Sequence, residues 1–114
     1  MAVSEEFLQF VLDQLAGLKG VSARRMFGGA GLYREGIMFG LIADEKAYLR
    51  VDDSNRKGFE DAGSEPFHPY GKKVTMPYYE VPIEVLEDPG DFCAWVEKAL
   101  VAAMRQKRTR SRRS

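Results

Sequence analysis

The chain has 114 residues, of which 45% are hydrophobic and 30% charged, with a single cysteine and a formal net charge of zero. A chain of this length makes one domain and buries roughly two-thirds of its unfolded surface, which excludes a disordered polymer and an array of domains. Cys93, standing alone, excludes an internal disulfide and fits a reducing, cytoplasmic compartment, while the longest uncharged apolar run, Ile37 to Ala43, is far short of the ~20 residues a membrane span needs.

The first element is a helix. Ser4 can cap it, and Phe7, Leu8, Val11, Leu12 and Leu15 recur at helical spacing until Gly17 and Gly20 close it. Two early glutamates and the lack of a basic start argue against a signal peptide. From Val21 the period shortens. Ser22 to Arg34 reads as one strand, interrupted at Gly28–Gly29 by a bulge or kink where at least one glycine takes positive φ. Glu35–Gly36 turns tightly into IMFGLIA, and Asp44–Glu45 turns again into KAYLRV, where Ala47, Leu49 and Val51 alternate with Tyr48 and Arg50. Three such strands in series make an antiparallel meander.

Asp52 or Asp53 then caps a short helix, SNRKGFEDA, closed by Gly63. Two extended pieces follow, EPFHPYGKK and VTMPYYEVP, whose Pro66, Pro69 and Pro77 suit edges or bulges. Pro82 and Pro89 each fit a first helical turn. The second opens a long helix capped by Asp88, with Phe92, Trp95, Val96, Ala99, Leu100 and Ala103 as its apolar stripe. The order α-β-β-β-α-β-β-α predicts an α+β two-layer sandwich: an antiparallel five-stranded sheet with the helices mainly on one face. Residues 1–104 form the domain, and 105–114 a basic, disordered tail.

The glycine-dense stretch from Arg24 to Ile42 tests for phosphate binding and fails. Gly29 and Gly31 could begin a dinucleotide fingerprint, but Arg34 stands where its third glycine belongs. Gly31 and Gly36 have P-loop spacing, but Ile37 replaces the lysine, and both motifs need a following helix where this chain runs into a strand. Gly28, Gly29, Gly31 and Gly36 are therefore structural, serving a bulge, a turn or a close backbone approach. With one histidine, His68, and one cysteine, the usual ligands cannot assemble a zinc set. Cys93 beside an apolar helical stripe reads as an inert thiol. The acidic pairs Asp52–Asp53, Glu60–Asp61 and Glu87–Asp88 fall at turns and helix ends, where caps want them. No nucleophile pairs with a base, so no catalytic residue, metal or cofactor is expected.

The strands carry Tyr33, Phe39, Tyr48, Phe67, Tyr70, Tyr78 and Tyr79 with Met26, Met38 and Met76. Alternation sends neighbours such as Tyr78 and Tyr79 to opposite faces, and helices on one side leave the other rich in aromatic and methionine side chains. That face is either an amphipathic exterior diluted by Arg24, Arg50 and Lys72, or a surface for a protein partner or a second copy of the chain. On the second reading Arg24, Arg25, Tyr33, Tyr48 and Tyr78 are the candidate contacts, with whichever of the two arginines faces away from the helices as the foremost.

The run RRMFGGAGLYREGIMFGLIADEKAYLRVDDSNR, with PFHPY, MPYYEVP and a closing helix carrying Trp95, resembles the TfoX/Sxy N-terminal domain over roughly residues 5–104. The resemblance implies helices packed on one antiparallel sheet, with Trp95 as a structural residue of the last helix. It implies regulation rather than catalysis, in the manner of competence and DNA-uptake regulators thought to act with the cyclic-AMP receptor protein at its promoters. Full-length regulators of that kind carry a second, C-terminal helical domain. Here RQKRTRSRRS follows residue 104, so a stand-alone N-terminal domain is expected.

That last segment hides a charge asymmetry. Residues 1–104 carry 11 bases against 17 acids, a net of −6, and the six remaining bases are Arg105, Lys107, Arg108, Arg110, Arg112 and Arg113. Either this is a solubilising end, or it is a sequence-independent nucleic-acid contact suited to guanidinium–phosphate pairing.

Overall fold

Ser4 caps the first helix as its position requires, its hydroxyl accepting a hydrogen bond from the Phe7 amide at 3.1 Å. Helix α1 (Glu5–Gln14) follows in the computed structural model, which describes residues 4–26, 28–68 and 76–113, leaving aside the side chains of Met76 and residues 107–113. The stretch expected to be one interrupted strand is two. Strand β1 (Val21–Met26) reverses into β2 (Gly29–Arg34), with Met26 opposite Gly29 and Gly28 at φ 77°. Positive φ at Gly28 closes a hairpin rather than kinking a strand, which explains why the sheet has six strands instead of five.

Strands β3 (Ile37–Ala43) and β4 (Lys46–Arg50) complete the meander across the two expected turns, and Glu35, Gly36, Asp44 and Glu45 all take positive φ there. A bulge does occur, but on β3. Leu32 faces Gly40 while Tyr33 faces Met38, leaving Phe39 as the extra residue. Strands β5 (Pro66–Phe67) and β6 (Met76–Glu80) finish a fully antiparallel sheet of order β1-β2-β3-β4-β6-β5.

Helix α2 (Arg56–Asp61) starts without the aspartate cap expected of it. Its N-cap is Asn55, whose side chain is occupied elsewhere: Nδ2 donates to the Arg50 carbonyl at 2.9 Å and Oδ1 accepts from the Asp52 amide at 2.9 Å. Asp52 instead closes a local turn by accepting from the Ser54 amide. The end of α2 follows expectation, with Gly63 at φ 76° and the Gly63 and Ser64 amides bonded back to Glu60 and Phe59. Helix α3 (Ile83–Leu86) is a single turn. Asp88 caps α4 (Pro89–Arg113), accepting from the Asp91 amide at 3.1 Å. The backbone stays helical through Arg113, where the sequence reading expected disorder after residue 104. No glycine or proline follows Gly90, and alanine, arginine, lysine and glutamine propagate helix well.

All four helices contribute to one core. Val11, Leu15, Phe59, Leu86, Phe92, Val96, Ala99 and Leu100 meet Leu32, Phe39, Ile42, Ala47 and Leu49 from the sheet. Phe59 sits between Tyr79 and Trp95, edge-on to the indole at 4.7 Å. Through this contact Trp95 joins α4 to α2. Among the described residues no helix is long and apolar enough to cross a membrane.

Candidate functional site

Register decides what lies on the side away from that core. One row across the sheet runs Ala23, Leu32, Gly40, Leu49, Tyr79 and faces the helices. The neighbouring row runs Arg24, Gly31, Leu41, Tyr48, Glu80, and alternation points it outward. Tyr33 opposite Met38, and Arg50 opposite Tyr78, extend the outer face. Leu41 and Tyr78 are only 7% and 5% exposed yet belong to no part of the helix-side core, so the outer face has a small apolar centre of its own.

Two arginine–tyrosine stacks flank that centre. The Arg24 guanidinium lies 5.5 Å from the Tyr33 ring centroid, and that of Arg50 lies 5.6 Å from Tyr78. Phe67 packs against Tyr48 with ring centroids 5.0 Å apart. Burial pushes the Tyr48 hydroxyl pKa up, with Glu80, Asp44 and Glu65 adding to the effect, so it stays a neutral donor at physiological pH. Gly31 forms the floor between the first stack and Leu41. A β-carbon there would meet the Met26 methyl at 2.8 Å and the Tyr33 ring at 3.0 Å.

Four of the five candidate contacts therefore share this face: Arg24, Tyr33, Tyr48 and Tyr78. The fifth does not. Arg25 lies on the helix side of β1 and pairs with Glu5 of α1, both largely exposed. Of the adjacent arginines, Arg24 is the outward one. Arg50 and Leu41 were not among the sequence candidates. Arg50 shares parity with Tyr48 and could have been found by alternation, whereas Leu41 shares the face with Met38 only because the Phe39 bulge resets the parity between them.

The remaining site expectations sit elsewhere. Gly28 and Gly36 have φ 77° and 82°, as turns demand, and Gly29 lies against the β3 backbone. Arg105 lies 3.3 Å from Asp52, while Lys107, Arg108, Arg110, Arg112 and Arg113 occupy the last turns of α4. Cys93 donates toward the Gln14 carbonyl at 3.5 Å, and burial, assisted by Glu97, raises its thiol pKa. Ser54, Asn55, Gly58, Phe59, Trp95 and Lys98 line a shallow cavity of about 120 Å³ on the helical side. Among the described residues no group of three or more His, Cys, Asp or Glu side chains gathers where a metal could be held.

Residues 13–103 match the TfoX N-terminal domain. The chain is 31% identical over 100 residues to the DNA transformation protein TfoX1 of Aliivibrio fischeri, an alignment covering 86% of this chain and 46% of that protein. It is 34% identical over 70 residues to an uncharacterized 12.7 kDa protein from the trpE 5′ region of Spirochaeta aurantia, covering 61% of this chain and 59% of that one. The chain thus spans about half the length of these curated relatives.

Proposed function

The chain belongs to the TfoX N-terminal domain family, and from that membership we propose that it is a competence-related regulatory domain that works by protein contact rather than catalysis. The observation that carries the contact is the outer sheet face. Every described helix serves the opposite side, and the outward face carries Arg24, Tyr33, Met38, Tyr48, Arg50 and Tyr78, of the aromatic, methionine and arginine types that interfaces favour, alongside Leu41 and Glu80. The half-buried rings of Tyr33 and Tyr48 and the two guanidinium groups offer flat, amphipathic contact at low entropic cost.

One relative is named a DNA transformation protein, and the same setting is taken here for this chain. The cyclic-AMP receptor protein is the first partner to try. The test pairs a gene deletion with complementation, reading transcripts of DNA-uptake genes. Wild-type protein restores them, and a chain carrying Arg24→Glu and Arg50→Glu does not, although its far-UV spectrum and melting temperature match wild type. Full restoration by that double variant overturns the assignment of the face. Unchanged transcripts on deletion overturn the regulatory reading.

A further inference from the structure

Helix α4 continues past the domain it anchors. Phe92, Val96, Ala99, Leu100, Ala102 and Ala103 bury one side of it, and Arg105 ties it to the body through Asp52. Asp52 lies in the β4–α2 turn; burial raises its pKa, but bonds from Ser54 and the Arg105 charge outweigh this and hold it below the usual carboxylate range. From Met104 to Arg113 the backbone remains helical, a projection of about 15 Å at the standard rise per residue. From Lys98 onward the chain has seven bases and no acid, and residues 105–114 contain no apolar side chain.

We propose that this last stretch of α4 is a helical arm that docks in the major groove of double-stranded DNA, neutralising phosphates without reading bases. The composition selects the ligand. A membrane surface or a protein groove takes an amphipathic helix by its apolar face, and residues 105–114 have none. Five of the six charges from Arg105 onward are guanidinium groups, which pair with phosphate in two-pronged fashion. An α-helix fits the major groove of B-form DNA, whereas that of A-form RNA is too narrow and deep for side chains to read. The body repels a polyanion, since residues 1–104 carry 17 acids against 11 bases, so the arm carries the contact alone. The arm issues from the helical layer and the aromatic face lies across the sheet, leaving both surfaces available at once.

Fluorescence anisotropy with a labelled DNA duplex of about 20 base pairs tests this, alongside an RNA duplex of equal length and poly-glutamate as competitor. Releasing counterions from about five phosphates, the full chain should lose affinity roughly 500-fold between about 50 and 200 mM salt. Truncation after Gln106 keeps the Asp52 pair and should weaken binding at least about tenfold with the melt unchanged. Thr109→Pro keeps every charge but breaks the helix, and should weaken duplex binding several-fold. The proposal is overturned if truncation leaves binding intact, if Thr109→Pro binds like wild type, or if RNA duplex or poly-glutamate binds at least as tightly as DNA.

Discussion

Gly29→Ala should be the most damaging single-methyl addition in the chain. Gly29 is an ordinary strand residue, so its requirement is not positive φ. A β-carbon placed on it would sit 2.1 Å from the Ile42 carbonyl oxygen and 3.3 Å from the attached carbon. That oxygen belongs to the backbone of β3, next to the Ala30–Ile42 pair, and both of those residues are buried. It cannot rotate aside as a side chain would. The strands must separate by an ångström or more, loosening the ladder where the glycine hairpin enters the sheet. Overpacking of a rigid site costs about 1–3 kcal/mol and sometimes more; the backbone obstacle puts this one at or above the upper end. For a domain with a margin of about 5–15 kcal/mol, a loss of about 3 kcal/mol lowers the melting temperature by roughly 12 °C or more. Gly31→Ala is the control, because its obstacles are the Met26 methyl and the Tyr33 ring edge, which can yield. Thermal melts by circular dichroism, confirmed by urea titration, rank the two. If Gly29→Ala melts within about 2 °C of wild type, or above Gly31→Ala, the close approach of β2 to β3 is wrong.

Three further predictions concern turns and charge. Glu35 at φ 51° precedes Gly36 at φ 82°, a turn that favours Asn-Gly, so Glu35→Asn should stabilise by about 0.5–1 kcal/mol and raise the melting temperature by a few degrees. Glu45→Gly should give no such gain, because the Glu45 carboxylate accepts from the Ser4 amide at 2.7 Å and its hydroxyl at 2.8 Å, and that link is lost. The carboxyl of Asp52 has a folded pKa held below its unfolded value, so its stabilisation is present above the unfolded pKa and lost as pH falls through the folded one. Asp52→Asn should therefore destabilise by on the order of 0.5–1 kcal/mol at neutral pH, the group being partly exposed, and the gap to wild type should close as the pH falls below the usual carboxylate range and the carboxyl takes up its proton. A gap that widens on acidification would reverse the sign of the argument.

Much of this architecture was legible in the sequence because local chemistry and global fold agree. Ser4 and Asp88 are caps that cap, Gly63 closes α2, and the apolar stripe of α4 is the stripe it buries. The misreadings share a cause. Whether Gly28–Gly29 bulges one strand or joins two depends on whether β1 pairs with β2, a contact the local sequence does not state. Asp52 and Asp53 look like caps for α2, and lose the position because Asn55 is drawn into holding the end of β4. The bulge at Phe39 lies beside Gly40, in a strand whose own residues do not show that it bulges, and it arises from matching β3 to β2 across the sheet. Each miss is a tertiary contact overriding a local preference.

The same bulge shapes the outer face. Strict alternation along β3 would set Met38 with Gly40 and Ile42 on one side and Phe39 with Leu41 on the other. Doubling residues against β2 sends Phe39 inward with Ile42, and returns both Met38 and Leu41 to the outside beside Tyr33 and Tyr48. A polar exterior does not require this arrangement, which gathers apolar groups on the side without helices. Nor is the cluster openly adhesive, because Leu41 and Tyr78 are already shielded in the isolated chain while the arginines lie over the rings. A partner would gain little by covering the buried centre and more by desolvating its rim, where Arg24, Tyr33, Tyr48 and Arg50 keep accessible surface. Specificity would then reside in groups that stack and donate hydrogen bonds.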